Sequence, residues 1–161
     1  MTVALSSERD SIGSAIGRIP SGCCILTVTN DGRSTGVLVS WVQQAAFDPP
    51  TISVCLKRGR PAGPLIDAAG RFLLNIIPED AKPMFRHFGR GFSPEEDAFA
   101  GLSVVQTEFG PLLGDCIAHL GCKVVNQIAV GDHDLYVAEV VAARGADASP
   151  YVHLRKNGLS Y

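Results

Sequence analysis

The sequence predicts a mainly-β domain, a closed or partly closed antiparallel barrel, and three observations predict it. Six or seven short apolar, β-branched segments run along the chain. The 17 glycines and 10 prolines supply turns between them. Strand and helix patterns do not alternate, which argues against a doubly wound parallel sheet. With 161 residues, 46% hydrophobic and 19% charged, the chain reads as a single domain over residues 1–161. A chain of that size buries roughly two thirds of its unfolded surface and needs no staples.

Ser7-Glu8-Arg9-Asp10 is an S-x-x-D capping pattern, and Ile12, Ala15, Ile16 and Ile19 follow at near-helical spacing. A helix from about Ser7 to Gly17 is expected. Cys23 to Thr29 is apolar and β-branched, Asn30-Asp31-Gly32 closes it and Gly36 to Trp41 resumes it, the pattern of a β-hairpin. Pro49-Pro50 stops pairing, and Thr51 to Leu56 then reads as a strand entering the basic loop Lys57-Arg58-Gly59-Arg60. A short helix from Pro64 to Ala69, ended by Gly70, leads to a strand from Phe72 to Ile77. Glu79 to Phe99 mixes Pro, Gly, Phe and charge, which suggests a short helix around Lys82 to Phe88 and an irregular excursion after it. Strands return at Cys116 to Val125, Leu135 to Ala142 and Tyr151 to Arg155.

Fourteen basic side chains against 16 acidic leave a net charge of −2. No broad field for nucleic acid follows, so an anion would need a local cluster. Residues 1–18 lack the order of a signal peptide, and no apolar run approaches the ~20 residues that span a bilayer. The five cysteines are odd in number and mostly sit in apolar runs such as Cys23-Cys24-Ile25-Leu26. They read as buried reduced thiols of a cytoplasmic protein, with neither nucleic acid nor membrane as a partner.

Four stretches invite a chemical reading. Lys57, Arg58 and Arg60 surround Gly59 ahead of a helix. Such a loop either holds a phosphate monoester, with the N–H groups of the helix start as further donors, or is a solvated basic turn. Ser34 to Gln44 joins a strand to a polar segment through Ser40 and Trp41. It offers backbone groups and a hydroxyl beside apolar walls, as a planar heterocycle requires, or it is a strand end with a core tryptophan. Gly131-Asp132-His133-Asp134 is a polar turn whose histidine either serves a reacting group or only hydrogen-bonds its backbone. Cys116-x-x-His119-x-x-Cys122 has zinc-ligand residue types. On a strand, however, His119 would face away from both cysteines, and no fourth ligand of matching spacing is near, so no metal is expected. G-x-S-x-G, G-x-x-x-x-G-K-S/T and G-x-G-x-x-G are all missing.

In order along the chain, these stretches resemble the flavin reductase-like, FMN-binding split-barrel family. The resemblance runs from about Ser11 to Tyr161. It starts with Pro20-Ser21-Gly22 before a β-branched strand and continues with Gly36 to Ser40-Trp41 and Asp48-Pro49-Pro50. Val54-Cys55-Leu56-Lys57-Arg58 and the Phe72-x-x-Asn75 strand follow. Phe88, Phe99-Ala100-Gly101-Leu102, Cys122, Gly131-Asp132-His133 and the closing Leu154 to Tyr161 complete it. Ser40-Trp41-Val42-Gln43-Gln44-Ala45 is similar to the reductase modules of multidomain diiron flavoproteins.

The resemblance implies an antiparallel Greek-key split barrel with a few short flanking helices, FMN as cofactor and NADH or NADPH as electron donor. It implies that Leu38, Val39, Ser40 and Trp41 line the isoalloxazine. Lys57, Arg58, Gly59, Arg60 and Pro61 would hold the ribityl phosphate, and Phe88 and Tyr161 would wall the same cavity. His133, oriented by Asp132, would face the reacting pair. A homodimer and a protein electron acceptor are implied partners. One departure concerns the phosphate loop, where many members carry Ser or Thr soon after the arginine and this chain has Gly59-Arg60-Pro61-Ala62-Gly63. Arg60 would supply the missing donors. Two other readings stay open, an FMN electron carrier fed by a protein partner and a flavin-binding module without turnover.

Overall fold

Local turn chemistry sets the first hairpin. In the computed structural model, which describes residues 3–161, helix α1 (Arg9–Ile16) leads to the two-residue strand β1 (Ser21–Gly22) and then to β2 (Cys24–Asn30). The start of the expected domain, Met1 and Thr2, lies outside the described residues. Strand β2 turns through Asp31 and Gly32, both at positive φ, into β3 (Arg33–Val39), with Asn30 paired to Arg33. Positive φ at both central residues is what a two-residue hairpin loop of type I′ demands. The α1 cap departs from expectation: Glu8 stands at the N-cap, and Ser6 Oγ accepts from its backbone N–H.

Strand β3 stops at Val39, two residues before its expected end, and Ser40-Trp41 crosses to β4 (Val42–Ala46). No pattern of residues announces β4, an edge strand whose Gln43, Gln44 and Ala45 are exposed and carry no burial alternation. Next come β5 (Thr51–Lys57), α2 (Ala62–Ala69), β6 (Arg71–Ile76) and α3 (Lys82–Gly89). Helix α2 starts at Ala62 instead of Pro64, with Pro61 at its N-cap. The hairpin of β7 (Val104–Thr107) and β8 (Gly110–Leu113) was also unexpected. It is followed by β9 (Ala118–Val130), β10 (His133–Gly145) and β11 (Val152–His153). Cys116 therefore precedes its strand, and β11 is shorter than the expected Tyr151 to Arg155. Strands β9 and β10 run past their expected ends into an exposed ribbon, where no core pattern marks them.

Seven strands form one antiparallel sheet in the order β3-β2-β6-β9-β10-β5-β4, the crossed order of a Greek-key arrangement. The sheet curls but stays open between β3 and β4, which makes it a partly closed barrel. Apolar side chains fill both sides of β2. Leu26 and Val28 join Val54, Leu56, Phe72 and Tyr136 inside the barrel. Ile25 packs outward with Ile77, Phe88 and Leu113 under α3. Two buried faces explain the unbroken apolar run of this strand.

Side chains fasten β8 over that outer layer. Asn75 Nδ2 donates to Ile25 O and Thr27 Oγ1, both at 3.1 Å, and Asn75 Oδ1 accepts from Leu113 N at 3.0 Å. Thr27 Oγ1 donates to Pro111 O at 2.7 Å. His119, the register partner of Asn75 on β9, donates from Nε2 to Leu113 O at 2.9 Å. Its bond to a backbone carbonyl gives His119 a structural task. Among the described residues, no three His, Cys, Asp or Glu side chains group as metal ligands. No helix among those residues is long and apolar enough to cross a membrane.

Candidate active site

The opening of the barrel positions the site. Strand β3 and the end of β5 flank it, and the chain crosses it at Ser40-Trp41, where Cys55 N donates to Trp41 O at 3.0 Å. A cavity of about 320 Å³ lies there, within the range of small-molecule sites. Val37, Leu38, Val39, Cys55 and Leu56 form its apolar floor, α3 covers it with Phe85, Phe88 and Gly89, and the chain beyond β11 closes it with Arg155 and Tyr161. Gly36 admits this cover, since a Cβ there would sit 2.7 Å from Phe88 Cε1.

Of the residues expected at a site, Leu38, Val39, Ser40, Trp41, Lys57, Arg60, Phe88 and Tyr161 line this cavity together. Arg58, Gly59 and Pro61 do not. The Arg58 guanidinium points to the β9–β10 turn, where Nε meets Asp134 Oδ1 at 3.0 Å and Nη1 donates to Gly131 O at 3.1 Å. Asp132 and His133 line a second cavity, on the far side of Trp41 and Tyr161. Sequence reasoning did not single out Cys55, Phe85, Arg86, Gly89, His153 and Arg155 as cavity residues. The available signals were Arg86 between two phenylalanines on a short helix and Arg155 in the closing motif.

His133 is buried and fully engaged. Nδ1 donates to Asp132 Oδ1 at 2.7 Å, and the hydrogen bond holds that carboxyl below the usual carboxylate range. His133 Nε2 and the Tyr161 hydroxyl are hydrogen-bonded at 2.7 Å. Its ring lies 4.6 Å from the Trp41 ring. Tyr161 is thus the member of the Asp132–His133–Tyr161 chain that reaches the first cavity, and burial pushes its phenol up. Desolvation likewise raises the Cys55 thiol on the floor.

The residues suit a planar, phosphate-bearing cofactor. Aliphatic side chains and Trp41 offer apolar walls, Ser40 a hydroxyl, and Lys57 and Arg60 positive charge, while no Asp or Glu lines the cavity. Lys57 Nζ stands 5.5 Å over the Tyr161 ring and Arg155 Cζ 4.9 Å over the Trp41 ring, so aromatic faces carry cations at the mouth.

Comparison with known proteins agrees with this geometry. The model of the flavin reductase like domain matches residues 16–158. The chain is 35% identical to a putative diflavin flavoprotein A 3 of Nostoc sp., over 98% of its own length but only 28% of that relative's. It is 32% identical to the reductase component of 4-nitrophenol 4-monooxygenase/4-nitrocatechol 2-monooxygenase of Rhodococcus opacus, covering 92% of this chain and 78% of the relative. In fold it is similar to an NADH:FAD oxidoreductase of Streptomyces globisporus, with a TM-score of 0.85 at 20% identity and 96% of each chain covered.

Proposed function

Because the chain belongs to the flavin reductase-like domain family, we propose that it is an NAD(P)H-dependent FMN reductase. The observation that carries this reading is the cavity in the barrel opening, with an apolar floor, Trp41 at one wall and, at its mouth, Lys57 and Arg60, which have no ion-pair partner among the described residues. A flavin held here would supply the redox chemistry, hydride acceptance from NADH or NADPH and electron release to an acceptor.

The chain's own residues orient and exclude. Leu38 and Val39 shield the ring system from water, Ser40 and the neighbouring backbone address its polar edge, and Lys57 and Arg60 hold the ribityl phosphate. Arg58 braces the β9–β10 turn against this loop, while Gly59 and Pro61 shape it. Phe88 closes the cavity from α3. His133, held by Asp132, would position the Tyr161 hydroxyl, which lines the cavity, toward the reacting pair. Exposed Val125, Ile128 and Val130 on β9 and Val141 on β10 favour a second copy of the chain as their cover, giving a homodimer. Five free cysteines favour a reducing, cytoplasmic setting.

Anaerobic stopped-flow mixing of FMN-loaded protein with NADH and with NADPH tests the reading. Rapid bleaching of the visible flavin band is expected with at least one nucleotide. No bleaching with either, in protein that retains flavin, would sink the reductase and leave the carrier or the flavin-binding module.

A further inference from the structure

Two covers close the first cavity, and they are fastened differently. On the α3 side Phe88 is 1% exposed and wedged against Gly36, and Phe92 and Phe99 pack round its ring. That cover cannot leave without opening the outer core. On the other side Tyr161 is 73% exposed, with open solvent to turn into. The anchorage of its segment ends just before it. Gly158 N donates to Gly13 O, and Leu159 N donates to Asn157 Oδ1 at 2.7 Å. Among the described residues the backbone of Ser160 and of Tyr161 makes no hydrogen bond, so Tyr161 is held by its side chain.

Tyr161 also stands between two cavities. Trp41, Lys57, Arg155 and Tyr161 line both the first cavity and the second, of about 590 Å³, so these four side chains form a partition. Trp41 O accepts from Cys55 N, Lys57 belongs to the β5 ladder and Arg155 O accepts from Arg18 Nη2 at 2.6 Å. Tyr161 meets the partition through three side-chain contacts: the bond of 2.7 Å to His133 Nε2, a stack on Trp41 with centroids 6.2 Å apart, and the Lys57 ammonium 5.5 Å over its ring. Buried His133, braced by Asp132, is the fixed post of this latch, and Tyr161 is the bolt. Withdrawing the bolt joins the cavities and more than doubles the space. The first cavity alone, at about 320 Å³, stands at the lower end of small-molecule sites, tight for a tricyclic ring that enters past the partition.

We infer that Tyr161 is a gate: it turns about Ser160 away from His133 and Trp41, joins the two cavities while a flavin enters, and closes behind it. This rests on the reading of the cavity as a flavin site. A gate changes the rates of entry and exit together and leaves affinity nearly alone, whereas a fixed wall that touches the ligand changes the exit rate.

The test compares wild type with Tyr161→Phe, which keeps the ring and loses the bond to His133, and with Tyr161→Ala, after thermal melts establish that each is folded. Flavin-free protein is mixed with FMN by stopped flow and read by quenching of Trp41 emission. The wild-type rate is expected to level off as FMN rises, because opening then limits entry. In Tyr161→Phe the plateau should rise roughly fivefold, the worth of one hydrogen bond, with the exit rate rising alike and Kd staying within about threefold. In Tyr161→Ala the rate should stay proportional to FMN. A second readout needs no flavin. Cys55 lines the first cavity and not the second, and its labelling by N-ethylmaleimide, located by peptide mass, should rise roughly fivefold in Tyr161→Phe. Cys116, half-buried and outside both cavities, should label unchanged. A wild-type rate proportional to FMN throughout, a rise in exit rate alone, or equal labelling of Cys55 in wild type and Tyr161→Phe overturns the gate. Absence of any quenching by FMN in wild type strikes the flavin reading instead, and Cys55 labelling then decides the gate by itself.

Discussion

The cavity has two walls made in different ways. The sheet wall, with Leu38 and Val39 on β3 and Leu56 and Lys57 on β5, is held by continuous ladders and by core packing on β2 behind it. The tail wall, with Arg155 and Tyr161, hangs on a few contacts between distant segments. Strand β11 pairs with β1 over two residues, Arg18 Nη2 donates to Arg155 O at 2.6 Å, Gly158 N donates to Gly13 O at 2.6 Å, and the Tyr161 hydroxyl is hydrogen-bonded to His133 Nε2. The first wall is over-determined and the second is adjustable. On the proposed reading the first wall holds the ligand and the second presents reactive groups to it, and mutations can pull the two apart.

The largest effect is expected at Asn75. Asn75→Leu removes three hydrogen bonds, leaves Leu113 N–H and Ile25 O without them, and frees the β8 edge from the sheet. A loss of ~3 kcal/mol is expected from buried groups left unpaired, or roughly 6–12 °C in Tm for a chain of this size. A calorimetric melt measures it, and flavin binding is expected to fail along with the fold. A shift under 3 °C would mean that the sheet wall is held by its ladders alone.

Next is Gly158→Val, which strikes the tail. A Cβ at Gly158 would run into the Ile16 side chain and lie 2.9 Å from Gly17 N, so the chain beyond it must leave α1. Trp41 is the sole tryptophan and packs against both His133 and Tyr161, so its emission reports the tail directly. A red shift is expected, with a stability loss of about 1–2 kcal/mol. Flavin reduction should slow at least tenfold while FMN affinity changes less than threefold. Equal losses in affinity and rate would show that the two walls act as one.

What the sequence revealed follows the same division. Asp31-Gly32 and Gly131-Asp132 were legible as turns because their chemistry is local, and Leu38 to Trp41 lay in an ordered motif. Strand β4 and the β7–β8 hairpin were not legible, since exposed Gln43, Gln44 and Ala45 and the short Val104 to Thr107 show no burial alternation. Arg86 was hidden for another reason: which face of α3 meets the cavity depends on the docking of Phe88 against Gly36, a contact between remote residues. Spacing also could not tell that Arg58 turns toward Asp134 while its neighbours Lys57 and Arg60 turn inward.

That last distinction gives the third prediction, within the sheet wall. Arg60→Ala should lower the FMN-over-riboflavin preference roughly tenfold or more, the worth of a charge-assisted phosphate contact. Arg58→Ala should change that preference less than threefold and instead cost about 1 kcal/mol by loosening its half-exposed turn. Fluorescence titration with the two flavins decides between them. A larger loss of preference at Arg58 would mean that its guanidinium leaves Asp134 when phosphate binds.

The smallest effect compares the interior of the sheet wall with its cavity surface, through pH. Cys122 on β9 is fully buried, and desolvation raises its thiol from the ordinary 9.0 to about 12. Cys55, half-buried on the cavity floor, is pushed the same way by burial. A raised acid pKa means that the folded chain keeps a proton that the unfolded chain releases. The unfolded state therefore binds fewer protons above pH 9, and stability falls as pH rises toward the folded value. Between pH 8 and 9.5 one fully shifted thiol contributes roughly 0.8 kcal/mol to that fall. Urea unfolding of Cys122→Ala at both pH values should show a shallower decline than wild type by up to this amount, whatever the cavity left by sulfur costs at either pH. Cys55→Ala should flatten the decline less. The reverse order would place the drier thiol at the ligand cavity and show that the sheet interior admits hydroxide more readily than the site does.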